Sequence, residues 1–582
     1  MMNCRSNNMK TRSELTSIPM NSTYQDGLCT EVAIVGAGAA GLYSAWRLVA
    51  DGGLPGSQVQ LFEMDERIGG RLESVTLPGM DVVGELGGMR YMPSQAIITT
   101  LIEQVFSHAL ESVPFPMGDN AHLFAFLRKQ YLRADAWTRA QARGDRQLTR
   151  YMLNEADIGY SADQLFNKVV YDLLTADPWF TARYADKVKH YGPYDYTFEL
   201  TADDWSRIKP QLRYCFAGPY QDALVSELGF WNMLKDRVGQ EGYTFLADAG
   251  GYYSNTINWN AAEALPYMVG DFSNAGTKYK TIAGGYDGIA YALADVYLAE
   301  PGACIWRENQ LLGFTRSSKP GYRYTLHFLN RPGRAPWAVH ANSIVLAMPR
   351  RALELLAQDS FFFRNEELQR NLASVIPEPS YKILMGFEQP WWQQSFGASA
   401  GHSITDLPLR QCYYFGTDPS NSHSLLLGSY NDMRTTPFWQ VLARHPEPFK
   451  PRATALVAPA QLEGLQNVQA SQRMVDELLK ELRELHGGGV SVPAPYVTWY
   501  KDWSADPYGG GYHAWQAGYA VDRVMPFMRK PDRAEAIHIV GEAYSDQQGW
   551  VEGAFCVAER MLEEHFGLRR PLWLDPRYHL GY

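Results

Sequence analysis

Cysteine is scarce: six residues in a chain of 582, namely Cys4, Cys29, Cys215, Cys304, Cys412 and Cys556. No two of them have metal-ligand spacing, and they outline no disulfide framework. This argues against a cysteine-bound metal and against a disulfide-stapled domain. Reduced thiols in a cytoplasmic protein are expected, with no metal ligand set. No run of 18 apolar residues occurs, so no membrane-spanning helix is expected. Residues 1–25 are polar, lack the apolar centre of a secretory signal, and read as a loose arm. Basic residues form no long cluster. Lys and Arg number 53 against 63 Asp and Glu, a net charge of −10, which speaks against a nucleic-acid partner. Internal repeats and low-complexity tracts are also missing.

What is plentiful is aromatic residues, with 16 Trp and 35 Tyr. They suit large cores and aromatic-lined pockets. The length exceeds what one simple core holds, so two or three domains are expected.

The most informative stretch is near the start. Residues 32–35 are apolar and mostly β-branched, and read as a buried strand. Gly36, Gly38 and Gly41 follow as G-x-G-x-x-G, and residues 42–49 read as a helix. That order is the context the dinucleotide fingerprint requires. Gly36 allows the tight turn, Gly38 lets backbone approach a pyrophosphate, and Gly41 lets helix and strand pack closely. Ala39 and Ala40 open the helix, whose N-terminal N–H groups and dipole attract phosphate. A second strand, residues 59–63, ends in Glu63, 22 residues after Gly41. An acid there favours a free ribose hydroxyl pair, hence FAD or NAD over NADP. Met64 follows it at the cofactor.

Two further boxes lie downstream. Residues 67–72 hold Gly70 and Arg71 in a loop suited to closing over phosphates. Residues 85–93 contain Gly87, Gly88, Met89 and Arg90. With these the chain resembles the flavin amine oxidase superfamily, which shares the fingerprint, a following E-R-x-G-G-R and an L-G-G/A box. Gly-Met-Arg-x-x-Pro at 88–93 is similar to the L-amino-acid oxidase group of bacterial oxidase and monooxygenase type. Polyamine and monoamine oxidases usually carry an aromatic or His where this chain has Met89 and Arg90. Further segments resemble the family through residue 570: 281–290 (Ile289 replacing a Leu), 344–349, 380–392, 405–414, 425–430, 506–515, 538–544 and 549–554.

The resemblance implies an α/β architecture: a Rossmann-like FAD-binding domain, a mixed-sheet substrate domain and a helical insert. The expected division is an arm (1–27), FAD-binding parts at 28–78, 273–375 and 521–570, substrate parts at 79–125 and 376–520, a helical domain at 126–272 and a tail at 571–582. Residues 223–234 are apolar at helical spacing within the insert. Residues 474–485 read as a core helix capped by Ser471 and stopped at Gly487.

By the same resemblance the cofactor is FAD, and since no Cys or His sits in an obvious flavinylation motif it is expected to be bound non-covalently. Its contacts are the residues already named together with Gly541, Glu542, Gly549, Trp550 and Val551. Glu542 is expected near the ribityl or phosphate groups. Arg90 and Tyr430 are expected to clamp the substrate carboxylate, since Arg offers two parallel donors. Lys382 is expected to hold a water near flavin N5 and assist reaction with O2. Trp550 and the Gly549 carbonyl face the substrate, with Trp515 and Tyr413 as further wall residues. Asp271, and with it Asp248, are candidates for meeting a cationic side chain; His513 is a lone loop histidine. The implied reaction is oxidation of an L-amino acid, including basic or large ones, by hydride loss from Cα to the flavin. The products are a 2-oxo acid, ammonia and H2O2. Three rival activities stay open: an L-amino-acid 2-monooxygenase, which shares the whole scaffold, an amine oxidase, and a non-catalytic flavoprotein. The partners expected are the amino acid and O2, in a homodimer or higher homo-oligomer.

Overall fold

The computed structural model describes residues 26–250, 258–272 and 278–582. The arm, apart from its last two residues, and Cys4 lie outside the described residues. Two seven-stranded sheets organise the rest.

In the first sheet, Cys304–Trp306, Val59–Phe62, Leu28–Val35 and Ala335–Leu346 run parallel in that order. Antiparallel strands Tyr324–Asn330 and Asn309–Arg316 complete that edge. Ala335–Leu346 is long enough to serve two neighbours: its first half pairs with Tyr324–Asn330, and residues 344–346 pair in parallel with Ile537–Ile539. Residues 32–35 are all buried, as expected for parallel strands covered on both faces. One cover is a three-helix layer of Ala39–Ala50, Gly288–Leu298 and Val551–His565. Arg47 is buried within it and pairs with Glu559 at 2.9 Å. The sheet therefore takes its strands from three separated pieces of chain, and the core on its helix side also draws in Ile97, Leu101 and Phe106.

The second sheet has the order Val497–Asp502, Ser380–Phe387, Ser424–Asp432, Gln411–Thr417, His402–Thr405, Phe124–Leu127 and Gln130–Arg133. The last two strands extend it past residue 125, where the substrate part was expected to end. The pairing of His402–Thr405 with Phe124–Leu127 is parallel. Ser380–Phe387 is buried at every position. Its odd-numbered residues Tyr381, Ile383, Met385 and Phe387 pack with Met474, Leu478 and Leu482 of the helix Gln472–His486. Strand alternation sends the even-numbered residues to the other face, where Lys382 and Leu384 meet residues 77–89. Ser471 caps the helix by accepting the Met474 N–H at 3.2 Å, and Gly487 ends it at φ +92°.

Among the described residues the insert carries five α-helices of seven or more residues between 162 and 267. Residues 223–234 are not one helix: a short 3-10 turn, Val225–Glu227, precedes the helix Phe230–Ala249. Gly229 between them is extended (φ −72°, ψ 143°), and a Cβ there would collide with the Asn258 side chain. No helix among the described residues is long and apolar enough to cross a membrane.

Candidate active site

A cavity of about 660 Å³ runs from the glycine turn to Trp550, within the roughly 300–1,000 Å³ of cofactor and ligand clefts. Its glycines fall into two kinds. Gly36, at φ +107°, and Gly41 are closed by backbone: a Cβ would come nearer than 3.0 Å to the carbonyl oxygens of Ala347 and Gly36. Gly38 and Gly541 are open. A Cβ on Gly38 meets nothing nearer than the Gly70 Cα at 3.8 Å, and one on Gly541 meets nothing within 4 Å. The closed pair shape the turn, and the open pair leave room for a ligand.

Gly36, Gly38, Ala39 and Ala40 line one end of the cavity, with Glu63 and Met64 beside them. Glu63 accepts the N–H groups of Ala37 at 2.8 Å and Asp65 at 2.9 Å. A carboxylate has about four acceptor sites, so two remain for hydroxyls. Arg331, which sequence reasoning missed, donates to the Met64 carbonyl at 3.0 Å and lines the same end.

Gly70 and Arg71 line the middle. The Arg71 guanidinium pairs with Glu542 at 2.8 Å and donates to the Gly511 carbonyl at 3.1 Å. Glu542 also accepts from the backbone N–H of His513 and of Gly549, each at 2.8 Å, and contacts His513 Nδ1 at 3.0 Å. Burial pushes the Glu542 carboxyl up, but Arg71, His513 and the Gly549 N–H outweigh it and hold it down at about 2. His513 is thus an orienting group for Glu542. Tyr508 and Tyr512, also missed, complete this wall.

The far end is formed by Gly88, Gly541, Gly549, Trp550 and Val551. Gly41, Gly87, Met89 and Arg90, expected at the cofactor, do not line the cavity. A Cβ on Gly87 would overlap the Arg71 carbonyl oxygen, so this glycine lets the two loops touch.

Beyond that end, strand parity brings the expected chemistry together. Lys382 lies opposite Tyr430 across two strands, with Nζ 4.7 Å from the tyrosine ring. Nζ donates to the carbonyls of Gly87 at 2.6 Å and Glu85 at 3.1 Å, which ties the substrate sheet to the glycine turn. Burial lowers the Lys382 amine to about 7. The Arg90 guanidinium, 8% exposed, sits 3.8 Å from the Tyr279 ring and 5.4 Å from that of Phe115, at cation–π distances. Tyr279 in turn stacks on Trp550 at 6.4 Å, linking Arg90 to the cavity wall. The Tyr279 hydroxyl donates to Asp271 Oδ1. Asp271 is 3% exposed, its Oδ2 has no hydrogen-bond partner among the described residues, and burial raises its carboxyl to about 6. Nothing in the sequence singles out Tyr279 among 35 tyrosines.

Trp515 and Asp248 sit elsewhere, while Tyr413 stays beside Tyr430, ring to ring at 6.5 Å. Trp515 is not a substrate wall: it is buried in the nucleotide-domain core, and its indole N–H donates to the Ser545 carbonyl at 3.0 Å. Tyr413 is closed into the cluster of Met89, Phe115 and Tyr279, stacked on His402 at 4.8 Å. Asp248 is engaged by the Tyr151 hydroxyl at 2.8 Å and Arg434 at 3.1 Å.

A family model described as flavin containing amine oxidoreductase matches residues 39–560. Aplysianin-A of Aplysia kurodai is 27% identical, over 93% of this chain and 91% of its own. Achacin of Lissachatina fulica is 24% identical, over 92% and 93%. An L-amino-acid oxidase of Siganus canaliculatus is 26% identical, over 92% and 86%. A solved putrescine oxidase bound to putrescine matches with a TM-score of 0.60 at 16% identity, covering 93% of this chain and 100% of that one; the likeness is one of fold alone. The chain belongs to the flavin containing amine oxidoreductase family and is a flavin-dependent oxidoreductase.

Proposed function

We propose that the protein is an L-amino-acid oxidase that binds FAD non-covalently. The observation that carries this reading is Arg90, a buried guanidinium held among Tyr279 and Phe115 beside the far end of the cavity. An amino acid differs from an amine by one carboxylate, and a fixed planar cation is the side chain suited to it. Tyr430 supplies a second contact to that carboxylate.

Glu63 supports a dinucleotide form of the flavin, since it stands where an adenosine ribose would offer two hydroxyls. Arg71 and the N–H groups opening the Ala39–Ala50 helix would hold its phosphates. The cavity lining holds no cysteine or histidine among the described residues, which supports non-covalent attachment. When bound, the flavin supplies the two-electron acceptor for the Cα–N bond and passes the electrons on to O2.

The chain's own residues bind and orient. Arg90 and Tyr430 fix the carboxylate, so that Cα faces the cofactor in a near-attack geometry. The Gly549 carbonyl accepts from the substrate amine, which must arrive neutral, and Trp550 covers it. Lys382 spends two donors on carbonyls, and its third, 3.9 Å from the Met89 sulfur, would hold a water. Asp271 Oδ2, unpartnered among the described residues, would meet a second, cationic nitrogen, which favours substrates with basic side chains. None of the five described cysteines is in a disulfide, in keeping with a cytoplasmic location.

The specific rival is an L-amino-acid 2-monooxygenase. Aerobic turnover of each of the twenty L-amino acids, with all products quantified, separates the two. One equivalent each of 2-oxo acid, ammonia and peroxide is expected. Amide plus CO2 would replace the oxidase reading with the monooxygenase, and no turnover of any amino acid would overturn both.

A further inference from the structure

Glu85 has no part in the site so far. It ends the short strand Val83–Glu85 and is 5% exposed. Its Oε1 accepts the Tyr286 N–H at 2.8 Å, and its Oε2 accepts the Ser74 hydroxyl at 2.7 Å. Asp287 holds that serine: the Ser74 N–H donates to Asp287 Oδ2 at 3.0 Å, and the Asp287 N–H donates to Ser74 Oγ at 3.1 Å. Meanwhile the backbone carbonyl of Glu85 accepts from Lys382 Nζ at 3.1 Å. One residue therefore touches the lysine through its carbonyl, which keeps its buried carboxyl group within one side-chain length of the bonded carbonyl.

Both groups are out of water, and each is solvated only by neutral partners. The carboxyl has a hydroxyl and an N–H; the amine has two carbonyls, the Met89 sulfur at 3.9 Å and the Tyr430 ring. Neither would remain charged alone at such a site. Burial raises the Glu85 carboxyl to about 7 and lowers the Lys382 amine to about 7, while the charge of each favours that of the other. Two other charged groups act on them: Asp287 disfavours the Glu85 anion, and Arg90 disfavours the Lys382 cation. Lys501, across the strand pair from Lys382, has its own partner in Glu73 at 2.8 Å.

We propose that Glu85 is the positioning partner of Lys382: it sets whether that amine is charged, and the two titrate as one unit behind the Gly87–Gly88 turn. The inference rests on the reading of Lys382 as a working group at the cofactor. At low pH the unit holds two protons, at high pH none. In between, one proton belongs to the pair and not to either residue.

The test is a pH titration of the flavin-loaded enzyme carrying [ε-13C]lysine, followed by NMR. The Lys382 resonance is the one lost in Lys382→Met. In the wild type it should inflect near neutrality, far below the roughly 10.4 of ordinary lysines. Glu85→Gln keeps an acceptor for Tyr286 and a partner for Ser74, yet removes the anion. It should move the Lys382 inflection down by about one pH unit or more. Ser74→Ala, which weakens support for that anion, should move it the same way by less, and serves if Glu85→Gln does not fold. The rate at which O2 reoxidises the reduced enzyme should show the same inflection, displaced in Glu85→Gln and absent in Lys382→Met. A Lys382 resonance that ignores Glu85→Gln, or that titrates with ordinary lysines in the wild type, overturns the proposal. A resonance that shifts as described while the reoxidation rate does not supports the pair and removes Lys382 from the chemistry instead.

Discussion

Two alanine substitutions three residues apart in the fingerprint should separate ligand room from fold. At Gly41 a Cβ overlaps the Gly36 carbonyl oxygen, backbone against backbone, with the Ala347 side chain 3.2 Å away. Neither neighbour can rotate aside. Overpacking of this kind costs about 1–3 kcal/mol, and it would fall on the protein whether or not cofactor is bound. Gly38 is different. Its φ of −81° and ψ of −173° are open to any residue, and its Cβ would meet only the Gly70 Cα at 3.8 Å. Reduced freedom of the unfolded chain favours alanine there by about 0.4–1 kcal/mol, and the poorer N-cap works against it. The net change in the cofactor-free protein should lie within about 1 kcal/mol. The new methyl group would, however, stand where a pyrophosphate passes, so flavin affinity should fall at least about tenfold, equivalent to ~1.4 kcal/mol. Denaturant unfolding of the stripped protein, paired with fluorescence titration of flavin, reads both quantities. Equal stability losses in the two variants, or wild-type flavin affinity in Gly38→Ala, would refute this reading of the cavity.

The remaining expectations concern charge. The Glu542 carboxyl is depressed from 4.5 to about 2. Its contribution is therefore fully present above pH ~4.5 and is lost as pH falls through ~2, about 3 kcal/mol in all. Glu542→Gln should lose that amount at pH 7 and little near pH 2 in denaturant unfolding. An identical difference at both pH values would contradict the assignment. Asp271, raised to about 6, is charged above that pH. With a dibasic substrate kcat/KM should drop as pH falls below ~6, and Asp271→Asn should flatten that limb while sparing neutral amino acids. Equal losses on both substrate types would rule out a selective role.

Much of this was legible from the sequence where the physics is local. The glycine turn, the Glu63 strand end and the Ser471 cap depend on neighbours within a few residues. Lys382 is reached through the resemblance of residues 380–392 to the family, and strand alternation turns it away from Tyr381 and Ile383. What failed depends on distant chain. Residues 335–340 hide a strand behind Pro336, which is tolerated because that side of the strand is an edge until pairing with Leu28–Val35 begins at Val339. The strands at 124–133 join the substrate sheet only through a partner some 280 residues away. Trp515 and Tyr413 carry the same aromatic label in the sequence as Trp550, yet two are sealed in cores. Tyr279 and Asp271 meet Arg90 across the insert, and no motif announces that meeting.

The central claim is that Arg90 makes this enzyme one for amino acids. It is tested most directly by kcat/KM for an L-amino acid and for its decarboxylated amine, in the wild type and in Arg90→Ala. Removing one partner of a buried charged pair costs about 2–5 kcal/mol. The amino acid should therefore lose roughly 30-fold to several thousand-fold, while the amine, which has no carboxylate, stays near its wild-type value. Wild-type kcat/KM for the amino acid in Arg90→Ala, or equal losses on both substrates, would contradict the account.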